Sequence, residues 1–472
     1  MKKALQFALL VIVSTCAVAS THAAKPAFGK KPNIILMMTD DQGYAPVGRH
    51  GHPWIHTPHL DQMHDKSTRF TRFLVSPTCS PTRAALMSGR HPLKNGITHT
   101  ILERERMALK TTTLPQVLGT AGYVSGIFGK WHLGTLTDKD QNRWGGWEKD
   151  VKGNYSPPWK NGYDVCFATE SKVPTWDPMI APNTSENPPA GQPFGNDYWV
   201  GPGQKATENL EGDDSRVIMD RVIPFIEKAV LGQKPFFSVI WFHTPHKPVV
   251  AGPKYKAMYS GYSEGEQHYY GCITAMDEQI GRLRYKLKTL GVYQNTMIWF
   301  CSDNGPEGRK LEGTSRGSAG PFRGRKRDLL EGGIRVPAFV VWPGKIQKHV
   351  KIDMPCMTSD YFPTIMDVVG MHKSIHPPLI DGISLLPMIE GKHTKRSMPI
   401  GFKSQDQRAW NGEEYKLYSN DKGTTYALYH LPTDLHEDND LSSQYPQRVE
   451  EMKTALLAWE ASCDGSDKGG DY

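Results

Sequence analysis

One cysteine lies where a short helix is expected to begin, a position that favours a reactive anion. Cys79 is followed by Ser80, a good N-cap, and by Pro81, which suits the first helical position. Gly89 is typical of the residue that ends such a helix, and Arg83 lies one turn into it. A group held at the start of a helix meets free backbone N–H groups and the positive end of the helix dipole. The pattern favours an activated nucleophile, although an ordinary buried thiol has the same local signature.

Hard oxygen side chains follow two apolar runs of strand length. They are Asp40, Asp41, Asp303 and Asn304. Carboxylate and amide oxygens suit Ca²⁺ or Mg²⁺ better than Zn²⁺. Several carboxylates that converge without a cation would repel one another. Together these residues predict a divalent cation site, whereas each pair taken alone is more often a turn or a helix cap.

Five basic side chains could serve an anionic substrate, and they are Lys130, His132, His243, His246 and Lys326. Lys130 and His132 are two residues apart, so in an extended segment they point to the same side. A histidine suits proton donation because its pKa lies near neutral pH. The alternatives are a surface lysine with a core histidine for the first pair, and a solvated basic loop around Lys326.

The elements that must position these residues follow from three apolar runs, at 33–38, 236–242 and 296–301. Continuous apolar runs of this length indicate strands that are buried on both faces, as in a parallel sheet. Helical stretches such as 215–231 and 267–290 lie between them, which predicts an α/β fold with helices on both faces of a large sheet. Such sheets bind ligands beyond the carboxyl ends of their strands, where the polar residues fall.

The pattern along the chain predicts an N-terminal catalytic domain, residues 24–374, and a C-terminal subdomain, residues 375–472. Residues from about 136 to 216 form an insertion rich in Trp, Gly, Pro and Asn, whose rings either pack on the main domain or face a sugar. The C-terminal pattern predicts a small antiparallel sheet plus a helix. Its elements are strands over 414–418 and 425–431 and a helix over 447–461.

The first 23 residues have the pattern of a signal peptide. Lys2 and Lys3 precede an apolar stretch and a small-x-small cleavage site. Lipid attachment at Cys16 is the alternative, and either one predicts export to the periplasm or the outside of the cell. No apolar run reaches the roughly 18 residues of a membrane helix, so no transmembrane segment is expected.

Charge and cysteine usage exclude some classes of protein. The net charge is +7, from 56 Lys and Arg against 49 Asp and Glu, which is compatible with an anionic substrate. The chain has no long basic tract or recognisable nucleic-acid module, so nucleic-acid binding is not expected. Its cysteines are scattered without a CxxC pair, which argues against a disulfide scaffold and a zinc knuckle.

The string from Cys79 to Gly89, Cys-x-Pro-x-Arg followed by a helix of small residues, resembles the signature of the type I sulfatases. The resemblance runs from Lys31 to about Gly344 and resumes near Leu428. It implies an alkaline-phosphatase-like fold and a cysteine that a separate maturation enzyme oxidises to formylglycine. The hydrated aldehyde would attack sulfur with one hydroxyl, giving a covalent sulfate intermediate, and would expel sulfate when the other is deprotonated.

The same resemblance implies a role for each polar residue. The cation, Ca²⁺ or alternatively Mg²⁺, would be held by Asp40, Asp41, the modified Cys79, Asp303 and Asn304. Lys130 and His132 would contact the nucleophile and the sulfate, and Arg83 would support the nucleophile. His246 would protonate the departing oxygen, Lys326 would lie near the scissile oxygen, and His243 would act there or only orient its neighbour.

Two other functions stay open at this level. A phosphate or phosphonate ester hydrolase of the same superfamily usually carries Asp-His where this chain has Asp303-Asn304. An inactive glycan-binding homologue would be expected to have lost some of these positions, and all are present. For the substrate, export and the Trp-rich insertion favour a sulfated polysaccharide or oligosaccharide, and residues 79–107 faintly resemble carrageenan sulfatases. Glycosaminoglycans and aryl sulfates remain alternatives.

Overall fold

The computed structural model describes residues 31–100, 106–139, 154–185, 187–308, 317–347, 349–371, 380–392 and 395–467. Its strands are β1 (Asn33–Thr39), β2 (Thr68–Phe70), β3 (Phe73–Leu74), β4 (Val124–Lys130), β5 (Val165–Thr169), β6 (Trp199–Gly201), β7 (Gln204–Lys205), β8 (Phe236–Trp241), β9 (Thr296–Ser302), β10 (Arg335–Val336), β11 (Ala338–Val341), β12 (Val350–Ile352), β13 (Cys356–Met357), β14 (Ile400–Ser404), β15 (Gln407–Asn411), β16 (Tyr415–Ser419) and β17 (Ala427–His430). Its α-helices are α1 (Pro58–Asp65), α2 (Cys79–Ser88), α3 (Leu114–Thr120), α4 (Asp214–Leu231), α5 (Pro253–Ala257), α6 (Glu264–Thr289), α7 (Glu331–Ile334), α8 (Tyr361–Val368), α9 (Leu386–Ile389) and α10 (Pro446–Asp467).

A ten-stranded mixed sheet forms the centre of the fold, in the order β12-β2-β11-β9-β1-β8-β4-β5-β6-β7. Strands β9, β1, β8, β4 and β5 are parallel neighbours, and β11 joins β9 in the antiparallel sense. Every residue of β1, β8 and β9 is buried, which explains why these strands are continuous apolar runs in the sequence. The predicted α/β fold with a large, mostly parallel sheet is confirmed.

Helices cover both faces of this sheet, as the alternation of side chains along β1 shows. Ile34, Leu36 and Met38 enter one apolar core, which α2, α3 and α8 complete. Ile35 and Met37 enter a second core on the opposite face, against α4 and α6. Successive side chains of a strand point to opposite faces, so a strand apolar at every position needs two such layers.

A four-stranded antiparallel sheet, β14-β15-β16-β17, packs against α10, which confirms the predicted small C-terminal antiparallel sheet plus helix. Gly401 of β14 lies close under the ring of Trp459 on α10, where a larger side chain would clash. A buried ion cluster joins this sheet to α7. Lys416 of β16 contacts Glu331 at 3.1 Å and Glu437 at 2.8 Å, and all three side chains are fully buried.

Several sequence predictions lie outside the described residues, namely the signal peptide, Cys16, part of the Trp-rich insertion and the boundary near residue 375. Two tryptophans of the described part of the insertion pack inward. Trp159 contacts the first core, and Trp199 is only 4% exposed. In the described ranges, no helix has the length and hydropathy needed to cross a bilayer. The six cysteines of these ranges are free thiols.

Candidate active site

The polar residues singled out from the sequence meet at the carboxyl ends of the parallel strands. Asp40 directly follows β1 and Asp303 directly follows β9, while Lys130 is the last residue of β4. Backbone hydrogen bonds hold these strand ends together: Asp303 N–H donates to Thr39 O at 3.0 Å, and Asp40 N–H donates to Thr244 O at 3.0 Å. The register of the sheet therefore fixes the positions from which the side chains reach one another.

Cys79 is the first residue of α2, so the helix begins earlier than the sequence suggested. Thr78, with extended backbone (φ −146°), precedes the helix, and the Ser80 hydroxyl is buried without a hydrogen-bond partner in the described structure. The predicted N-cap role of Ser80 is therefore wrong. Gly89 ends the helix in the left-handed conformation at φ 67°, as predicted. Cys79 still lies in the first turn, where backbone N–H groups lack helical partners.

Arg83 is a fully buried cation that joins α2 to two strand ends. Its Nη2 donates to Asp303 Oδ2 at 2.6 Å, and its Nη1 donates to Lys130 O at 3.0 Å. The guanidinium also lies over the ring of Trp241, 4.9 Å from its centroid. These contacts orient Asp303 and the end of β4.

Three buried carboxylates converge beside Cys79. Oxygen or sulfur atoms of Asp40, Cys79 and Asp303 lie within 4.8 Å of one another, and ligand atoms of Asp40, Asp41 and His246 do the same. Consecutive residues of an extended chain point to opposite sides. Asp41 instead has φ 62°, a left-handed conformation that aspartate tolerates, and both carboxylates reach the cluster.

The donor set fits a hard divalent cation. Asp40 Oδ1 and Asn304 Oδ1 are buried and have no hydrogen-bond partner within the described residues. Burial, together with the neighbouring charge of Asp40, raises the pKa of Asp303 to about 7. Burial also opposes ionisation of Asp40, but Lys130, His246 and Arg83 hold its pKa well below the usual range. A bound cation would satisfy the two open oxygens and stabilise the crowded carboxylates.

Two buried lysines flank the cluster and approach Cys79 from β4 and from a loop before α7. Lys130 Nζ lies 2.6 Å from Asp40 Oδ2 and 3.5 Å from Cys79 Sγ. Lys326 Nζ lies 2.7 and 2.8 Å from the two oxygens of Asp41. Against the opposing effect of burial, these carboxylates raise the pKa of both amines, which remain charged. The lysines give the site positive charge next to Cys79.

His246 presents one ring nitrogen to the cluster. Its Nδ1 lies 2.6 Å from Lys247 O and so acts as the donor, which leaves Nε2, 3.5 Å from Asp41 Oδ2, as the atom that can exchange a proton. Burial lowers the pKa of His246 to about 3. Burial likewise raises the pKa of the Cys79 thiol to about 11, so the unmodified thiol is a weak nucleophile at neutral pH.

His132 and His243 take up positions that the sequence did not predict. The extended segment expected from Lys130 to His132 is wrong, because His132 has φ 56° and its N–H donates to Glu170 O at 3.0 Å. His132 remains buried within the electrostatic range of Lys130 and Asp40.

His243 hydrogen-bonds away from the cluster, to Asp214 Oδ2 at 2.9 Å and to Thr169 Oγ1 at 2.7 Å. Among the described contacts, none joins His243 to a carboxylate of the cluster.

Sequence reasoning also missed residues that support the site. Asp214, at the start of α4, accepts hydrogen bonds from His243 and from Tyr198. Glu307 lies 3.7 Å from Lys326 and 3.1 Å from Arg327. Glu307 closely follows Asp303 and Asn304, so its position in the sequence could have indicated that it lies near the site. The contacts of Asp214 join segments that are distant in sequence, so no local pattern indicates them.

Comparison with known proteins agrees with this geometry. The sulfatase family profile matches residues 32–371, and a profile for the C-terminal part of N-sulphoglucosamine sulphohydrolase matches residues 320–461. The chain is 31% identical to N-acetylgalactosamine-6-sulfatase of Canis lupus familiaris over 411 residues, which are 82% of this chain and 71% of the relative. It is 29% identical to arylsulfatase G of Rattus norvegicus over 395 residues, 77% of this chain and 69% of the relative.

Solved structures show the same fold. The crystal structure of Ps i-CgsB superimposes with a TM-score of 0.78 at 25% identity, covering 91% of this chain and 92% of the other. Its complex with k-i-k-neocarrahexaose gives a TM-score of 0.76 over the same shares of the chains. With a family profile that spans most of the chain and a fold shared with its members, this protein belongs to the sulfatase family, whose enzymes hydrolyse sulfuric esters.

Proposed function

We propose that this protein hydrolyses sulfate esters of a sulfated oligosaccharide or polysaccharide, with Cys79 converted to formylglycine and with Ca²⁺ in the carboxylate cluster. The observation that carries the proposal is the convergence of Asp40, Asp41 and Asp303 on a cysteine in the first turn of a buried helix. Two lysines and a histidine surround the same point, which is the charge pattern that a sulfate group requires.

Asp40, Asp41, Asp303 and Asn304 would hold the cation, with an oxygen of the modified Cys79 completing the set. When bound, the cation neutralises sulfate oxygens and lowers the pKa of the attacking hydroxyl. The hydrated aldehyde supplies that hydroxyl and a second one whose deprotonation releases sulfate. Mg²⁺ is the alternative, since the donor set is hard oxygen throughout.

The remaining residues of the site bind charge and move a proton. Lys130 and Lys326 would each hold a sulfate oxygen, because their amines lie on either side of the Cys79–Asp41 cluster. Burial keeps the resting ring of His246 neutral, so Nε2 would first take up a proton, which a bound anionic sulfate ester favours, and would then give it to the departing alcohol oxygen. The bond between Nδ1 and Lys247 O fixes the ring for that role. His132 would contact the sulfate beside Lys130.

Arg83 and His243 would act through their neighbours. Arg83 holds Asp303 in place at 2.6 Å. His243, bonded to Asp214 and Thr169, would keep the loop of His246 in position through the bond from His246 N–H to His243 O at 2.7 Å.

The substrate class rests on the relatives and on the sequence. One relative is named for a sulfated amino sugar, and one similar structure contains a carrageenan hexasaccharide. A sulfated saccharide also agrees with the export that the first 23 residues predict. The conversion of Cys79 would depend on a separate enzyme that generates formylglycine. A sulfated galactan of the carrageenan type is the first substrate to test.

The proposal is tested by comparing turnover of 4-nitrophenyl sulfate with that of 4-nitrophenyl phosphate, followed by a desulfation screen over defined sulfated oligosaccharides. We expect the sulfate ester to be strongly preferred. Cys79→Ala should abolish turnover, whereas Cys463→Ala, which removes another buried thiol far from the site in sequence, should not. Preference for the phosphate ester, or full activity of the Cys79→Ala enzyme, would refute the proposal.

A further inference from the structure

A cavity lies at the opposite end of β9 from the carboxylate cluster. It is bordered by the residues that precede β9, among them Tyr293, and by those that follow β11. Strand β9 spans Thr296–Ser302 between this cavity and Asp303. At about 3.3 Å per residue the two sites are therefore roughly 20 Å apart. The cavity has a volume of about 710 Å³, and we call it the basic cavity.

The basic cavity carries an excess of positive charge. Lys66, Arg284 and Lys288 line it, against a single carboxylate, Asp65. That carboxylate is already paired, because Arg49 donates to its two oxygens at 2.8 and 2.7 Å. An anionic ligand would therefore meet several cations and little repulsion.

Arg284 shows that the cavity is more than a group of surface lysines. Its side chain belongs to α6 and the residue is only 5% exposed. Its Nη1 donates to His59 O at 3.1 Å and to Gln62 Oε1 at 3.5 Å, which fixes the side chain in place. Because Arg284 lines the cavity, its buried guanidinium adds a fixed positive charge to the wall, which an anion with several acceptor oxygens would meet.

The lining also suits a saccharide. The ring of Tyr293 borders the cavity, and Lys288 Nζ lies over it, 5.3 Å from its centroid, so the ring helps to hold this cation at the wall. The volume falls in the range of pockets that bind small molecules. Sulfate esters remain charged at all ordinary pH values and offer the oxygens that Arg284 and the lysines can bind.

We infer that the basic cavity binds a sulfated segment of the polysaccharide, separate from the segment whose ester is cleaved. The choice of ligand class rests on the proposed function, although the cavity itself does not. Binding at a second site would keep a long chain near the enzyme and raise the local concentration of its esters at the active site. A monosaccharide sulfate or an aryl sulfate is too short to occupy both sites and would gain nothing.

The test uses the full chain carrying Cys79→Ala, so that the polymer is bound and not cleaved. Binding to carrageenan, with unsulfated agarose as the neutral comparison, is measured for this protein and for the same protein with Lys66→Gln and Lys288→Gln. We expect the two substitutions to weaken binding to carrageenan by about tenfold and to make it less sensitive to salt. A control with Lys422→Gln and Lys453→Gln, which removes the same charge from the C-terminal subdomain, should bind as the parent does.

Turnover of 4-nitrophenyl sulfate by the enzyme with an intact Cys79 separates this inference from the proposed function. The Lys66→Gln, Lys288→Gln enzyme should hydrolyse that ester at the parental rate. Equal carrageenan binding by the cavity and control variants would overturn the inference, and so would equally strong binding to agarose. Loss of aryl sulfate turnover in the cavity variant would also overturn it, because the substitutions would then act on the active site or the fold.

Discussion

Lys416 is the buried cation that joins the C-terminal sheet to α7, and its replacement by methionine should strongly destabilise the protein. Its amine is the shared partner of Glu331 and Glu437, and none of the three side chains is exposed. In the Lys416→Met protein two carboxylates remain buried close together, and among the described residues Arg335, 3.4 Å from Glu331, is the ion-pair partner that remains. Removing one partner of a buried ion pair typically costs about 3–5 kcal/mol.

The loss should depend on pH with a definite sign. Burial already raises the pKa of Glu437, and Lys416 is the main charge that opposes this effect. Without Lys416 the folded-state pKa rises further above the unfolded value, so the folded variant keeps a proton that the unfolded chain releases. Stability is then retained at low pH and lost as pH rises through the folded-state pKa. The difference from the parent should be larger at pH 8 than at pH 5.

Urea unfolding followed by fluorescence, at both pH values, measures this difference. Lys395→Met, at a lysine whose side chain is 78% exposed, is the matched control and should change the free energy of unfolding by no more than about 0.5 kcal/mol. Adding Glu437→Gln to Lys416→Met should restore part of the loss, because one buried carboxylate is removed. If Lys416→Met unfolds at the same urea concentration as the control, the ion cluster does not hold the subdomain as described.

Three further predictions concern the active site. Gln407 of β15 accepts a hydrogen bond from Leu329 N–H and donates one to Arg327 O, both at 2.8 Å. Gln407→Ala should therefore free the loop of Lys326 and lower kcat for 4-nitrophenyl sulfate by about tenfold. The unfolding midpoint should not fall to a comparable extent. Asp303→Asn should lower the bound calcium measured by elemental analysis, and parental calcium content in the variant would argue against this site. Treatment of the parent enzyme with EDTA should abolish turnover until Ca²⁺ is restored. His246→Gln should slow hydrolysis of saccharide sulfates by roughly 10²–10⁴-fold. Hydrolysis of 4-nitrophenyl sulfate should slow much less, because nitrophenolate leaves without a proton. Equal losses on both esters would refute proton donation.

The sheet and the cluster at its edge could be predicted because burial leaves a direct record in the sequence. Strands β1 and β9 are buried on both faces, so they are apolar at nearly every position, and the first polar residues after them mark where each strand ends. Asp40 and Asp303 are those residues. Their convergence follows from parallel pairing, which places carboxyl ends together.

The first residue of α2 could not be predicted, because neighbouring residues offered equivalent signals. Thr78 and Ser80 are both good N-cap residues. A tertiary contact accompanies the observed start: Thr82 Oγ1, one turn into α2, donates to Asp303 O at 2.7 Å. That bond joins residues 221 positions apart, so no local pattern contains it.

The orientation of the histidines depends on tertiary structure in the same way. His132 adopts a positive φ while its N–H bonds to Glu170 O, beyond the end of the neighbouring strand β5. His243 turns toward Asp214 and Thr169, which come from two other elements. The sequence places both histidines just after a strand, but the side on which each ring lies is decided by partners far along the chain.

The account depends most directly on the chemical state of Cys79 in active enzyme. Mass spectrometry of the peptide that contains residue 79, from protein purified with full sulfatase activity, measures that state. We predict that sulfur is replaced by an aldehyde oxygen at this position and that specific activity rises in proportion to the converted fraction. Full activity in protein whose residue 79 is entirely an unmodified cysteine would contradict the account.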